Sequence, residues 1–221
     1  MTSWQRRIER AAELEVKYPS AAAMLRFYRE LALFQSDQRI GADVREHLPA
    51  LLDLVRRKGT PVLAERARSV ERELLTPDDP VHAFFLRVIE QPYFERRALQ
   101  SKVDTTTVQS TCPFCFEKPV VAILRPERSL QCGRCFTEWA FRRLLCPSCG
   151  EEDREKLPVY TAREFPHVRV EACDTCRHYI KAVDMTRDGN AVPEVDEIAA
   201  LPLDLWAAEQ NYEALATNLF W

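Results

Sequence analysis

The sequence predicts an α+β protein with an N-terminal helical bundle, two tandem rubredoxin-like (zinc-ribbon) β domains and a short C-terminal helix. Three observations predict this fold: apolar residues at helical spacing in a cysteine-free first part, short β-prone runs after it, and eight cysteines confined to that second part. The expected boundaries are 1–104 for the helical domain, 105–145 and 146–187 for the two ribbons, and 188–221 for the C-terminal helical segment.

Capping and breaking residues divide the N-terminal domain into five or six helices. Thr2 or Ser3 can cap the first helix, Gly59 ends a later one, and Thr60-Pro61 and Asp79-Pro80 begin two more. The apolar stripes of the second and fourth helices comprise Met24, Phe27, Tyr28, Leu31 and Phe34, and Val62, Ala67, Val70 and Leu74. A helical scaffold is the interpretation that we favour for this part.

Five β-prone runs follow, and an acidic segment ends the chain. The runs are Val120–Leu124, Thr137–Leu145, Pro158–Thr161, His167–Val170 and Tyr179–Val183. Residues 188–221 contain seven acidic side chains and no basic one, with Ala199, Leu203, Trp206, Tyr212 and Leu215 as an apolar set. This pattern favours an amphipathic helix that folds back onto the rest of the chain; an acidic partner-binding arm is the alternative.

The composition excludes several classes of protein. The 221 residues are 46% hydrophobic and 29% charged with a net charge of −3, which argues against disorder and against a strongly basic nucleic-acid binder. There is no membrane-length apolar run and no apolar signal core. We therefore expect a cytoplasmic protein with reduced cysteines. Because phosphate-binding and hydrolase motifs are also missing, we expect that it is not an enzyme.

The eight cysteines carry the strongest chemical signal. They form four Cys-x-x-Cys pairs: Cys112 and Cys115, Cys132 and Cys135, Cys146 and Cys149, and Cys173 and Cys176. Sixteen residues separate the first two pairs and 23 the last two, against about 15–20 in many four-cysteine zinc sites. Sequential pairing, favoured over an interleaved one, therefore gives two metal ions, each bound by four cysteines. Iron and zinc both suit such a ligand set.

Energetics and motif context favour metal over the other uses of paired cysteines. A structural tetrathiolate site supplies about 10–16 kcal/mol of apparent binding energy, whereas a disulfide within one pair closes so short a loop that it contributes about 2 kcal/mol. A closed four-sulfur site has no open position for hydrolytic chemistry. If this is so, Cys132→Ser should loosen the β region and leave the helical domain folded.

A cluster of arginines near the first site raises the possibility of nucleic-acid binding. Its members are Arg125, Arg128, Arg134, Arg142 and Arg143. Residues 151–200 contain 12 acidic side chains against 7 basic ones, which would repel phosphate. A solvated basic face is the interpretation that we favour, and nucleic acid is an unlikely partner. A glycine of the kind found in rubredoxin-like knuckles follows only one pair, as Gly150.

The cysteine region resembles the FdhE family over residues 110–212. The matching stretches are Cys112-Pro-Phe-Cys115, Leu130-Gln-Cys-Gly-Arg-Cys135 with Thr137-Glu-Trp139, Cys146-Pro-Ser-Cys-Gly150, Cys173-Asp-Thr-Cys176 with Tyr179-Ile-Lys181, Val195-Asp-Glu-Ile198 and Leu203-Asp-Leu-Trp206. Phe116 departs from the family's commoner glycine after the second cysteine.

The resemblance implies a cytoplasmic accessory protein with rubredoxin-like metal domains. It implies a role in the maturation or redox activation of a respiratory formate dehydrogenase, a molybdenum or tungsten enzyme, through binding of its catalytic subunit before export. The eight cysteines would be the metal ligands, with iron as a candidate beside zinc. Two alternatives stay open at this point: an iron-based redox or electron-transfer protein, and a nucleic-acid-binding zinc ribbon protein.

Overall fold

The computed structural model describes residues 2–37, 41, 43–70 and 78–220. Its helices are α1 (Ser3–Lys17), α2 (Ala22–Gln35), α3 (Val44–Lys58), α4 (Pro61–Val70), α5 (Pro80–Gln100), α6 (Pro193–Ala199) and α7 (Leu201–Glu209). Short 3₁₀ turns lie at Pro19–Ala21 and Arg154–Lys156. Leu74, assigned above to the fourth helical stripe, lies outside the described residues.

The predicted capping residues begin the helices. The Thr2 side chain accepts a hydrogen bond from the backbone N–H of Gln5, and Asp79 accepts from those of Val81 and His82. Each bond satisfies an N–H that has no partner within the first helical turn. The α+β class with N-terminal helices, predicted from the sequence, is therefore confirmed.

Seven strands form one sheet that contains both cysteine ribbons. The strands are β1 (Pro119–Leu124), β2 (Arg128–Cys132), β3 (Glu138–Ala140), β4 (Val159–Thr161), β5 (Val168–Ala172), β6 (His178–Asp184) and β7 (Glu213–Ala214). The sheet order is β3-β2-β1-β6-β5-β4, with β7 paired to β6. β1–β3 and β4–β6 are antiparallel meanders, and parallel pairing from Val121↔Lys181 to Leu124↔Asp184 joins them.

The β region differs from the sequence-based prediction at three strands. β2 and β7 are not predicted from the sequence, because β2 mixes polar and apolar residues and β7 is only two residues long. The predicted run Thr137–Leu145 is a strand only from Glu138 to Ala140. The strand ends at Ala140, and the N–H of the next residue, Phe141, donates a last hydrogen bond to β2, at the carbonyl oxygen of Arg128, at 3.0 Å.

The C-terminal segment folds back as two helices, where the sequence predicts one. α6 and α7 meet at Ala200, and Tyr212 and Leu215 lie beyond α7. α6 packs against α1, α2 and β1. Since side chains alternate between the faces of a strand, Lys181 on β6 points to α6 and α7, whereas Ile180 joins a second apolar cluster around the first cysteine group. No described helix is both long and apolar enough to cross a bilayer.

Candidate metal centres

The first cysteine group unites the first two Cys-x-x-Cys pairs, as sequential pairing predicts. The Sγ atom of Cys112 lies 3.5 Å from that of Cys135, and the Sγ atom of Cys115 lies 3.4 Å from Cys132 and 3.6 Å from Cys135. Cys112, Cys132 and Cys135 are buried, and Cys115 is half-buried. This group therefore lies almost wholly inside the apolar cluster that also contains Trp139.

The second group unites the last two pairs. Sγ of Cys146 lies 3.7 Å from that of Cys176, and Sγ of Cys149 lies 3.6 Å from that of Cys173. Cys146 and Cys173 are buried, but Cys149 is exposed and Cys176 half-buried. The two groups thus share a ligand set and differ in their access to solvent.

The sulfur–sulfur distances fit one tetrahedral metal ion per group. A metal–sulfur bond of about 2.3 Å gives a tetrahedron whose sulfur–sulfur edge is about 3.8 Å, and the ligand atoms in each group all lie within 4.8 Å of one another. A disulfide would need a sulfur–sulfur distance of about 2.05 Å, so the groups are spaced for a shared ion. Two metal ions, each held by four cysteines, therefore fit this chain. Iron and zinc fit equally on the donor set.

All four Cys-x-x-Cys turns, or knuckles, have the same backbone geometry, although only one has a glycine directly after its second cysteine. The residue after the second cysteine has φ between 57° and 79° in each: Phe116, Phe136, Gly150 and Arg177. Its N–H donates to the carbonyl oxygen of the first cysteine at 2.8–3.2 Å. The knuckle at Phe116 therefore bends in the same way as the one at Gly150, and three non-glycine residues are held in a backbone region that costs each about 1–2 kcal/mol.

Phe116→Gly should stabilise the chain by about 0.5 kcal/mol, because the relief of backbone strain exceeds the entropy cost of glycine. The Phe116 side chain is 76% exposed, so little packing is lost. Phe136→Gly is the matched control: the Phe136 ring lies under the Arg7 guanidinium at 3.9 Å and packs edge-to-face with Trp4 at a centroid distance of 6.0 Å, so this variant should be destabilised. Urea unfolding of both variants tests the pair, and equal changes would contradict the role of the Phe136 ring.

Backbone and side-chain donors point at the sulfurs. The N–H groups of Phe114, Arg134 and Ser148 lie 3.3–3.4 Å from the Sγ of the first cysteine of their knuckles. Burial raises the pKa of the Cys176 thiol, but hydrogen bonds from His178, Ser148 and Cys149 together outweigh this effect and lower that pKa to about 6. Because the thiolate is the form that binds metal, these donors suit a ligand role.

The second knuckle of the first group is docked on the helical part. Gln91 on α5 donates its side-chain amide to the carbonyl oxygen of Gly133 at 2.7 Å. Arg134 forms an ion pair with Glu90 at 2.7 Å and stacks on Phe94 at 3.9 Å. The first group is therefore tied to α5 through Glu90, Gln91 and Phe94, none of which was predicted from the sequence to contact it.

Four of the five arginines near the first group are paired with carboxylates, so these four do not form an open basic face. Arg125, Arg128, Arg134 and Arg142 pair with Glu138, Glu171, Glu90 and Glu152, respectively. Arg128 is buried, with 2% of its side chain exposed, so the expectation of a solvated basic face is wrong for this residue. These pairings weigh against binding of a phosphate backbone, which needs free cations.

Buried ion pairs join the helical part to the C-terminal segment, and sequence reasoning missed them. Arg7 on α1 binds Glu95 at 2.9 Å and Glu194 at 2.5 Å. Arg10 binds Asp188 at 2.6 Å and Asp196 at 2.5 Å. His167, Asp188 and Asp196 lie close enough to hold a cation, but the Arg10 guanidinium already lies between the two carboxylates. We interpret this group as an ion-pair network.

A second buried network surrounds Lys181. Its Nζ lies 2.5 Å from Asp204 and 2.9 Å from Glu197, and Tyr179 donates to Asp204 at 2.7 Å. These residues lie within stretches on which the family resemblance rests. A usable signal was present in the sequence: acidic residues among apolar ones in a segment without basic residues require cations from elsewhere.

Comparison with known proteins gives relatives named after FdhE. The family model "FdhE, C-terminal domain" matches residues 145–221. A "Protein FdhE homolog" from Aquifex aeolicus is 30% identical over 188 residues, covering 76% of this chain and 66% of the relative. Another, from Haemophilus influenzae (strain PittGG), is 28% identical over 201 residues, covering 80% and 66%. The chain thus spans about two thirds of the length of these curated relatives.

A solved structure shares the fold. The crystal structure of the FdhE protein from Pseudomonas aeruginosa matches with a TM-score of 0.78 at 21% identity, covering 99% of this chain and 96% of that one. At this identity the match speaks for the fold alone. Together with the matched C-terminal domain and the curated relatives, the ordered cysteine pairs lead to one conclusion: the chain belongs to the FdhE family.

Proposed function

We propose that this chain is an accessory protein in the maturation of a respiratory formate dehydrogenase. In this proposal it acts in the cytoplasm by binding the catalytic subunit before that subunit is assembled. Family membership and the resemblance of the cysteine stretches support formate dehydrogenase as the enzyme that this chain serves. A reducing compartment suits eight cysteines that act as metal ligands.

The closed ligand shells are the observation that supports a binding role rather than a catalytic one. Four sulfurs complete the tetrahedron in each group, so an ion bound there has no open position for substrate. The groups also organise the sheet, since each joins the two knuckles of one antiparallel meander. An ion in such a shell supplies folding energy, and the chain around it supplies the surface that a partner would contact.

Affinity capture under anaerobic growth tests the partner. The tagged chain, produced in its native host, should retain the formate dehydrogenase catalytic subunit and release it when the enzyme is assembled. The same chain with Cys112, Cys115, Cys132 and Cys135 all changed to serine is the matched control. Absence of that subunit from the eluate of the wild-type chain, when that chain still contains its metal, would contradict the proposal.

The exposure of the second group favours a second candidate function, an iron-based redox protein. Cys149 is exposed there, so a bound iron ion would lie near solvent. Iron bound by thiolates can accept and donate one electron. Elemental analysis and the visible spectrum of anaerobically purified protein separate the two candidates: thiolate charge-transfer bands support redox function, whereas two zinc ions and no colour exclude it.

A further inference from the structure

A cavity of about 370 Å³ opens where the two ribbons meet. It lies on the sheet face of Ile180, between the connection at Arg143–Leu145 and the knuckle that begins at Cys146. This volume is within the range of small-ligand and side-chain pockets, which are about 300–1,000 Å³. None of the comparisons assigns a role to this cavity.

The charge of the cavity is opposite to that of the whole chain. Four arginines line it, with Glu171 as the single acidic lining residue, whereas the chain has a net charge of −3. Arg128 and Arg169 both bind Glu171, at 2.9 and 2.6 Å. That carboxylate is therefore already shared by two guanidinium groups and cannot neutralise further arginines.

The other two arginines have no carboxylate partner in the described part of the chain. Arg143 donates only to the backbone oxygens of Arg125 and Pro126, at 2.9 and 3.1 Å. The side chain of Arg154 makes no hydrogen bond or ion pair with the described residues, and it is exposed. Two guanidinium groups beside an apolar cavity form a site for carboxylates, which they bind through charge-assisted hydrogen bonds.

Exposed apolar side chains border the same cavity. Leu144 is 52% exposed and Val159 is 49% exposed, and Leu157, Ile180 and Leu215 line it as well. A surface with an apolar centre and flanking arginines is typical of protein-interaction sites. The ligand that complements it has large apolar side chains next to carboxylates.

We propose that this cavity binds an extended acidic and apolar segment of the partner protein. Apolar side chains of the segment enter the cavity beside Leu144 and Ile180, and its carboxylates pair with Arg143 and Arg154. The inference rests on the proposed function only in naming the partner as the formate dehydrogenase catalytic subunit. The peptide chemistry follows from the cavity alone.

Synthetic peptides test that chemistry without the subunit. The probes are a fluorescent peptide of alternating leucine and glutamate, and its counterpart with glutamine in place of glutamate. Fluorescence anisotropy should show binding of the acidic peptide to the full chain, with at least tenfold weaker binding of the glutamine peptide. That ratio corresponds to about 1.4 kcal/mol. Equal binding of the two peptides, or binding of neither, would overturn the proposal.

Substitutions that place negative charge in the cavity locate the site. Arg154→Glu and Leu144→Asp should each weaken binding of the acidic peptide about tenfold and weaken capture of the subunit in parallel. Arg163→Glu is the matched control, because Arg163 is exposed, lies outside the cavity and has no ion pair with the described residues. Circular dichroism and metal content should stay at wild-type values in all three.

The outcomes separate this inference from the proposed function. If the subunit binds all three variants like the wild type, the docking site is wrong and the proposed function stands. If the peptide dependence holds but the wild type fails to capture the subunit, the cavity is a peptide site and the proposed partner is wrong. If octanoate binds with the same arginine dependence while the acidic peptide does not, the cavity takes a small carboxylate and our inference is overturned.

Discussion

Cys132→Ser should cost the chain the metal of its first site and lower the free energy of unfolding by about 4 kcal/mol or more. A structural tetrathiolate site supplies about 10–16 kcal/mol of apparent binding energy, and three sulfurs cannot close the shell. For a chain of this length, the melting temperature should fall by roughly 10 °C. The loss should appear in the helical signal as well as in the β region.

The location of Cys132 explains why the helices should melt with the ribbon. Its side chain is buried, and its Sγ accepts the N–H of Arg134 at 3.3 Å. The same knuckle is bound to α5 by Gln91 and by the Arg134–Glu90 ion pair. Without a metal ion, the turn that positions these contacts is no longer held in place. We therefore expect the helices to unfold cooperatively with the ribbon, in contrast to the sequence-based expectation of an intact helical domain.

Cys149→Ser is the matched control, since it removes the same atom from the more exposed site. Cys149 belongs to the knuckle that begins at Cys146 and is exposed, whereas the contacts with α5 described above are made by Gly133 and Arg134 in the knuckle of Cys132. We expect loss of one metal ion and a melting temperature that falls by less than half as much. Metal analysis with circular dichroism melting measures both. Unchanged metal stoichiometry in Cys132→Ser would show that this residue is not a ligand.

Features that depend on local signals can be predicted from the sequence. The cysteine spacing predicts which pairs come together, and Thr2 and Asp79 predict where helices begin, because each depends on a few neighbouring residues. The parallel pairing of Val121 with Lys181 could not be predicted, since that register joins segments about sixty residues apart. The ribbons were therefore expected in tandem, without the single sheet that joins them.

Two further features were outside the reach of local patterns. Positive φ was indicated only at Gly150, whereas the knuckle hydrogen bonds impose it on Phe116, Phe136 and Arg177 too. Lys181 follows an apolar residue in a β-prone run and reads as an ordinary strand residue. Its burial becomes explicable only with Glu197 and Asp204, which approach from the C-terminal helices.

Lys181→Met should lower the free energy of unfolding at neutral pH by about 3–5 kcal/mol, because it leaves two buried carboxylates without their cation. Lys181 is 2% exposed, and its Nζ also donates to the backbone oxygen of Glu197 at 2.7 Å. Lys102→Met is the control: Lys102 is exposed and forms no ion pair with the described residues, so this variant should unfold like the wild type. Urea titration at neutral pH measures all three chains.

The pH dependence of the Lys181→Met effect identifies its cause. Burial raises the pKa of Glu197, Lys181 opposes that rise, and the charge of Asp204 adds to it. Removing Lys181 therefore raises the pKa of Glu197 further above that of an unfolded glutamate, about 4.3. The folded variant then binds a proton that the unfolded chain has lost, so stability is present at low pH and is lost as pH rises through the raised pKa.

The deficit of Lys181→Met relative to the wild type should therefore be largest at neutral pH and should shrink as pH falls towards about 5. Protonation of cysteines at low pH affects both chains alike, so their difference isolates the carboxylates. Adding Asp204→Asn to the variant removes one unpaired charge while Tyr179 keeps an acceptor, and it should recover part of the stability. A deficit that does not change with pH would mean that lost packing, and not unpaired charge, causes the destabilisation.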